Sequence, residues 1–304
     1  MTFPLSGARY DLVSGDYAAS IASVGASLRV LTYKGRDLVV PFDENEVRPA
    51  FRGATLAPWP NRIIDGTYSF GGVDNVLALT EPARGNALHG FVGFTNFALV
   101  NQSESSVTLA TTIEAQDGYP HRLDIAVEYS LDGNGLHETI TATNTGPTAA
   151  PYGTGPHPYL VAGEGRVDDW TLSLPADLVL AVTEDRLIPI STVDVADTAF
   201  DFREPRTIGD TFIDHAFTQL TTSRVEVTSP AGTGVAIQWD SACPWVQVHT
   251  ADRPLPAEHR IGLAVEPMTC PPDAFNSGTD LIIIEPGASS SAGWTISALT
   301  FSAL

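Results

Sequence analysis

Hydrophobic and polar residues alternate along much of this chain. Val107, Leu109, Thr111 and Ile113 fall at every second position, as do Leu123, Ile125, Val127, Tyr129 and Leu131. Successive side chains of an extended strand point to opposite faces, so a period of two marks strands with one buried face. The turn sequence DGNG at 132–135 leads from the second run into Leu136, Thr139, Ile140 and Thr141, which predicts a β-hairpin. RVEVTS, turning at PAGTG (230–234) into VAIQW, predicts another, and the C-terminal WTISALTFSAL reads as one more strand. No helical periodicity persists beyond a few turns. Glycines and prolines, 26 and 22 of them, are spread along the chain without marking a linker, and no repeat divides it. The expectation is a single all-β domain over residues 1–304, a large antiparallel β-sandwich.

Four stretches break the alternation: residues 50–66, 81–95, 151–165 and 267–279. In β-proteins binding and catalytic groups tend to sit on loops carried by a rigid scaffold, so candidate chemistry belongs there.

Composition narrows the partners. With 16 Lys and Arg against 36 Asp and Glu, the net charge of −20 argues against nucleic acid and anionic membrane surfaces. Cys243 and Cys270 are too few for a disulfide framework, although their pairing is left open. The opening MTFPLSGARYDLV has neither the basic nor the apolar region of a signal peptide, and no apolar run approaches the ~20 residues of a membrane helix. A cytoplasmic location is expected.

In APWPNRIIDGTYSFGG, Arg62 follows Asn61 among aromatics, where its fixed fork of donors suits sugar hydroxyls or carboxylates. A structural arginine bridging loop carbonyls is the alternative. In GNALHGFVGF, His89 sits beside a glycine and could approach a ligand closely or serve as a satisfied structural histidine. In PYGTGPHPYLVAG, His157 lies between two prolines that fix where its imidazole points. VEPMTCPPDAFN places Glu266 at the end of a strand, after the apolar run 261–265, and before a proline-rich turn expected to aim its carboxylate for proton transfer. The seven histidines show no HExxH or HxH spacing, and GxSxG, P-loop and strand-to-helix GxGxxG motifs are missing. Acid–base chemistry without metal or cofactor is what is left.

Taken together, NRIIDGTYSFGG, GNALHGFVGF, GPHPYLVAG, IDHAF and VEPMTCPPDAFN resemble, in order and spacing, the aldose 1-epimerase (galactose mutarotase) family. The resemblance runs from about residue 50 to the C-terminus. It implies a galactose mutarotase-like β-sandwich with an open cleft, and interconversion of the α and β anomers of a free aldohexose. It also implies Glu266 and His157 as catalytic base and acid, and Arg62, His89, Asp214 and Gln247 as sugar-binding residues. The residues after Gln247, VHTADR, depart from the Y-T-G-N loop of other members. APWPNRI with GNALHG is more similar to a bacterial branch that includes the sulfoquinovose-pathway epimerase, for whose sulfonate Arg84 is the candidate cation. The implied partner is a small monosaccharide, and the protein a monomer or homodimer.

Ring opening removes the O1 proton while O5 is protonated. Ordinary pKa values of about 4.3 for Glu and 6.5 for His give a carboxylate beside a partly protonated imidazole near neutrality, so no unusual shift is expected. A non-catalytic carbohydrate-binding protein is one alternative. A glycoside hydrolase or lyase is another, and a retaining hydrolase would need two carboxyl groups, here Asp214 and Glu266, about 5–5.5 Å apart.

Overall fold

The computed structural model describes residues 3–299, and its elements are almost all antiparallel strands. Nine strands form the largest sheet, in the spatial order Ala98–Gln102, Ser106–Ile113, Leu123–Asp132, Gly135–Asn144, Ser289–Leu299, Gly234–Trp239, Arg224–Thr228, Thr171–Ser173 and Arg206–Thr207. Both predicted hairpins lie in it. Leu131 pairs with Leu136 and Asp132 with Gly135 across the first turn, and Thr228 pairs with Gly234 across the second. Gly135 has φ 131°, and a Cβ there would fall 2.3 Å from the carbonyl oxygen of Ile296 on the neighbouring strand, so only glycine lets the two backbones approach. The C-terminal strand begins earlier than expected, at Ser289; Thr300 to Leu304 lie outside the described residues.

Alternation does what it predicts. Leu123, Ile125 and Val127 are fully buried and the residues between them are not, each aliphatic side chain contributing roughly 1.5–3 kcal/mol by leaving water. On the next strand Leu136, Glu138 and Ile140 point the same way, so a carboxyl group shares this core.

A four-stranded sheet of Arg9–Ser14, Tyr17–Ala22, Ser27–Tyr33 and Arg36–Asp37 packs against the large one. Tyr129 donates its hydroxyl to the carbonyl of Ala26 at 2.7 Å, and the Ala298 N–H donates to the Tyr17 hydroxyl at 3.0 Å. Periodicity does not reveal this sheet, because the small residues on its second face are buried too.

The third sheet carries the chemistry. Its order is Tyr159–Leu160, Leu263–Met268, Trp245–His249, Asp214–Leu220, Ala176–Val182 and Pro189–Asp194. Val246, Val248, Leu263 and Val265 join the core shared with Val225 and Ile237 of the large sheet. Period two then turns Gln247, His249 and Glu266 to the opposite face. The only α-helix among the described residues is the single turn Ala274–Ser277, and no helix is long and apolar enough to cross a membrane. Cys243 and Cys270 are both free and buried, so they form no disulfide.

Candidate functional site

Arg62, His89, His157, Asp214, Gln247 and Glu266 all line one cavity of about 280 Å³. Register explains half of this. Asp214 pairs with His249, Ala216 with Gln247, and Gln247 with Glu266, so three adjacent strands place four polar side chains on one face. Glu266 lies within its strand rather than at its end. The proline-rich turn after it therefore does not aim it, contrary to the sequence expectation. That turn serves Arg62 instead: the Asp273 N–H donates to the Arg62 carbonyl at 2.7 Å, and the Ile64 N–H donates to the Asp273 carboxylate at 3.0 Å.

The loops supply the rest. His89 adopts φ 61° and Asn61 φ 56°, both left-handed and both disfavoured for side-chain-bearing residues. They hold each other there, since the His89 N–H donates to the Asn61 carbonyl at 2.8 Å and the Asn61 N–H donates to His89 Nδ1 at 3.1 Å. Gly90 permits the turn: a Cβ on it would lie 2.0 Å from the Ala57 carbonyl oxygen. Burial, with His157 and Arg62 close by, drives the His89 pKa well below its usual value, so the ring is neutral. With Nδ1 accepting, the proton sits on Nε2.

His157 is clamped through its backbone, donating to the Ala54 carbonyl at 3.0 Å and accepting from the Gly53 N–H at 2.8 Å. Its ring stacks between Phe51 and Tyr159, at centroid distances of 6.3 and 5.3 Å. Nε2 then lies 3.3 Å from Glu266 Oε1. Neither His157 Nδ1 nor Glu266 Oε2, both buried, has a hydrogen-bond partner among the described residues. Desolvation, helped by His249, depresses the imidazole pKa to about 3. Desolvation, helped by Asp214 and opposed by Arg62, raises the carboxyl well above its usual range. The expectation of ordinary pKa values is thus wrong. A short sequence motif carries no measure of how deeply its side chains are buried.

Around this pair runs a charged frame. Arg62 grips Glu81 with Nε and one terminal nitrogen at 2.8 and 3.0 Å, and the other terminal nitrogen donates to Asn61 Oδ1 at 3.2 Å. The same guanidinium lies 3.9 Å from Asp214. Gln247 donates to Asp214 at 2.7 Å, so it orients that carboxylate, and His249 Nδ1 stands 3.8 Å from it. Arg84, the candidate for a sulfonate, donates to Glu81 at 2.9 Å. Arg253 lines the same cavity and donates to the Tyr159 hydroxyl at 3.2 Å.

Glu81, His249 and Arg253 are cavity residues that the sequence reading does not single out. The last two fall in the departure VHTADR, a signal that was present. Glu81 had none, being a lone carboxylate in an unremarkable turn.

His89, His157 and Glu266 carry potential metal-ligating atoms that all lie within 4.8 Å of one another. The trio fits a cation poorly. His89 Nδ1 already spends its lone pair on the Asn61 N–H, and Nε2 carries the proton. What the cavity can do is move protons between a buried carboxyl and a buried imidazole, with neutral and charged donors around them.

The family model for aldose 1-epimerase matches residues 9–297. An uncharacterised *Escherichia coli* K12 protein, YihR, is 38% identical over 93% of this chain and 90% of its own length. Mouse galactose mutarotase is 32% identical over 66% of this chain, and the match spans 62% of that enzyme. Among solved structures, an aldose epimerase homologue from *Caenorhabditis elegans* superposes with a TM-score of 0.84 over 96% of this chain and 99% of its own. At 22% identity that likeness shows the fold, a galactose mutarotase-like arrangement of antiparallel sheets. The chain belongs to the aldose 1-epimerase family, and an isomerase activity is what that membership implies.

Proposed function

We propose that the protein interconverts the α and β anomers of a free aldohexose as a single-domain mutarotase, with Glu266 serving O1 and His157 serving O5. The observation that carries this reading is the contact of 3.3 Å between His157 Nε2 and Glu266 Oε1, two buried side chains on one cavity wall. O1 and O5 are both bonded to C1, so an acid and a base that serve them together must face one small region of the cavity, as these two side chains do.

The pair holds one proton in either of two forms, carboxyl with imidazole or carboxylate with imidazolium. Ring opening starts from the second. Glu266 takes the O1 proton as C1=O1 forms, the C1–O5 bond breaks, and His157 delivers its proton to O5. This leaves carboxyl and imidazole, the form that burial favours. Rotation about C1–C2 and the reverse transfers close the ring with O1 on the other face. His89 offers its Nε2–H to a sugar oxygen, Arg62 the two N–H groups not spent on Glu81 and Asn61, and Asp214 a carboxylate to a hydroxyl. Acid–base groups placed in this way contribute about 10²–10⁴-fold each.

A second reading, a sulfonated aldose as substrate, draws on Arg253. Arg84 is held by Glu81, and Asp252, the neighbour of Arg253, is held by Arg260 at 2.8 Å. No carboxylate pairs with Arg253 among the described residues. The deciding experiment is NMR saturation exchange between anomers of glucose, galactose and sulfoquinovose. Exchange faster than buffer supports the mutarotase, and its rank order reads the sugar. Saturable binding with no acceleration for any sugar in the panel would favour a carbohydrate-binding protein instead.

A further inference from the structure

We propose that Glu81 is a positioning residue whose carboxylate locks the Arg62 guanidinium and the His89-bearing turn into one geometry. This rests on the acid–base reading above. Four donors converge on the two oxygens of Glu81: Arg62 Nε at 2.8 Å, an Arg62 terminal nitrogen at 3.0 Å, Arg84 at 2.9 Å and Asn86 Nδ2 at 3.1 Å. A carboxylate has about four lone-pair sites, so none is left for a sugar hydroxyl. Although Glu81 reaches the cavity wall, it acts through its neighbours.

Its backbone completes the arrangement. The Glu81 carbonyl accepts from the N–H groups of Arg84, Gly85 and Asn86, and the Glu81 N–H donates to the Asn86 carbonyl. This closes the turn that leads into Asn86–Leu88, the strand paired with Arg62–Ile64, and His89 follows directly. One residue therefore ties the arginine to the histidine. Burial alone would raise the Glu81 carboxyl, yet the hydrogen bonds and charge of Arg62 keep it below its usual range and ionised.

There is an electrostatic consequence for Glu266. The groups around it are His157, His89, Asp214, Arg62 and Tyr159, with His249 and Arg253 behind them. Arg62 is the cation that favours its ionised form, and Glu81 offsets much of that charge. Glu81→Gln should therefore let Arg62 act more strongly. Glu266 would ionise at lower pH, and the high-pH limb of kcat/KM would move toward acid.

The test compares wild type, Glu81→Gln and Glu81→Asp by anomer exchange across pH, alongside thermal unfolding. Loss of orientation predicts a fall in kcat/KM of about 10–100-fold in both variants. Only Glu81→Gln should shift the high-pH limb, because Asp keeps the charge. A Glu81→Gln variant that unfolds more easily but retains wild-type kcat/KM and limb would reduce the residue to a structural role and overturn the inference. Should that variant fail to fold, unaltered kcat/KM in Glu81→Asp would overturn it equally. If wild type shows no anomer exchange, the functional reading falls and takes the inference with it. An active wild type with unaffected variants sinks the inference alone.

Discussion

Replacing Glu266 by Gln separates catalysis from stability in a way that a structural carboxylate would not. Gln is nearly isosteric and keeps an oxygen within reach of His157 Nε2, but it cannot accept the O1 proton. Loss of one acid–base group should slow anomer exchange by about 10²–10⁴-fold. Stability should move in the other direction. The folded pKa of Glu266 lies well above its unfolded value, so between the two the folded protein holds a proton that the unfolded chain has released. Stability then falls as pH rises through that window, by about 1.4 kcal/mol per pH unit for one such group. Gln removes this dependence. Glu266→Gln should match wild type near pH 4 and gain on it progressively at pH 7 and 8. Saturation-exchange NMR reads the first effect, and thermal unfolding across pH reads the second. A variant that retains more than a tenth of wild-type exchange, or is less stable than wild type at pH 8, would refute the assignment of a desolvated catalytic carboxyl.

Three further outcomes follow from named groups. Because desolvation holds His157 at about 3, wild-type exchange should persist below pH 5 wherever the fold survives; an acid limb near 6.5 in kcat/KM would contradict this. Arg62→Ala should raise KM more than it lowers kcat if the arginine mainly orients oxygens, which a sugar titration of initial rates would show, and a pure kcat loss would argue against it. Glu138 is buried in the sandwich core with one oxygen accepting from the Trp294 indole at 2.8 Å, and burial pushes its pKa to about 8. Its cost begins above the unfolded value near 4.5 and grows toward pH 8, so Glu138→Gln should gain on the order of a few kcal/mol at pH 8 and little at pH 4, measured by denaturant unfolding.

The sandwich was legible wherever one face of a strand is wet. Leu123 to Leu131 announce themselves because Asp124, Ala126, Glu128 and Ser130 between them are partly exposed. Tyr17–Ala22 does not, since five of its six residues are buried. Side-chain identity at the site was legible for the same kind of reason: a histidine between prolines or before Gly90 carries local constraints that show in the sequence. What could not be read is anything set by residues distant in sequence. Glu81 acquires its importance from Arg62, 19 positions away, and the burial of Glu266 comes from segments spread across the chain. The proline turn was misread because its partner, the Arg62 strand, lies some two hundred residues upstream.

The opposed shifts of Glu266 and His157 look at first like an obstacle to catalysis, because the proposed reaction begins with both groups charged. Net charge removes the difficulty. Carboxyl with imidazole and carboxylate with imidazolium contain the same single proton, and a free aldohexose is neutral in its ring and open-chain forms. The cavity therefore keeps one total charge throughout the cycle, and burial never opposes the creation of a net ion. It affects only the separation of charge within the pair, over 3.3 Å, where attraction in a low-dielectric site is strong. Arg62 helps the carboxylate form and Asp214, 3.9 Å from the guanidinium, opposes it. On this account Arg62 narrows the gap between the two proton positions that burial opens, and the neutral sugar lets the pair cross it without a change in net charge.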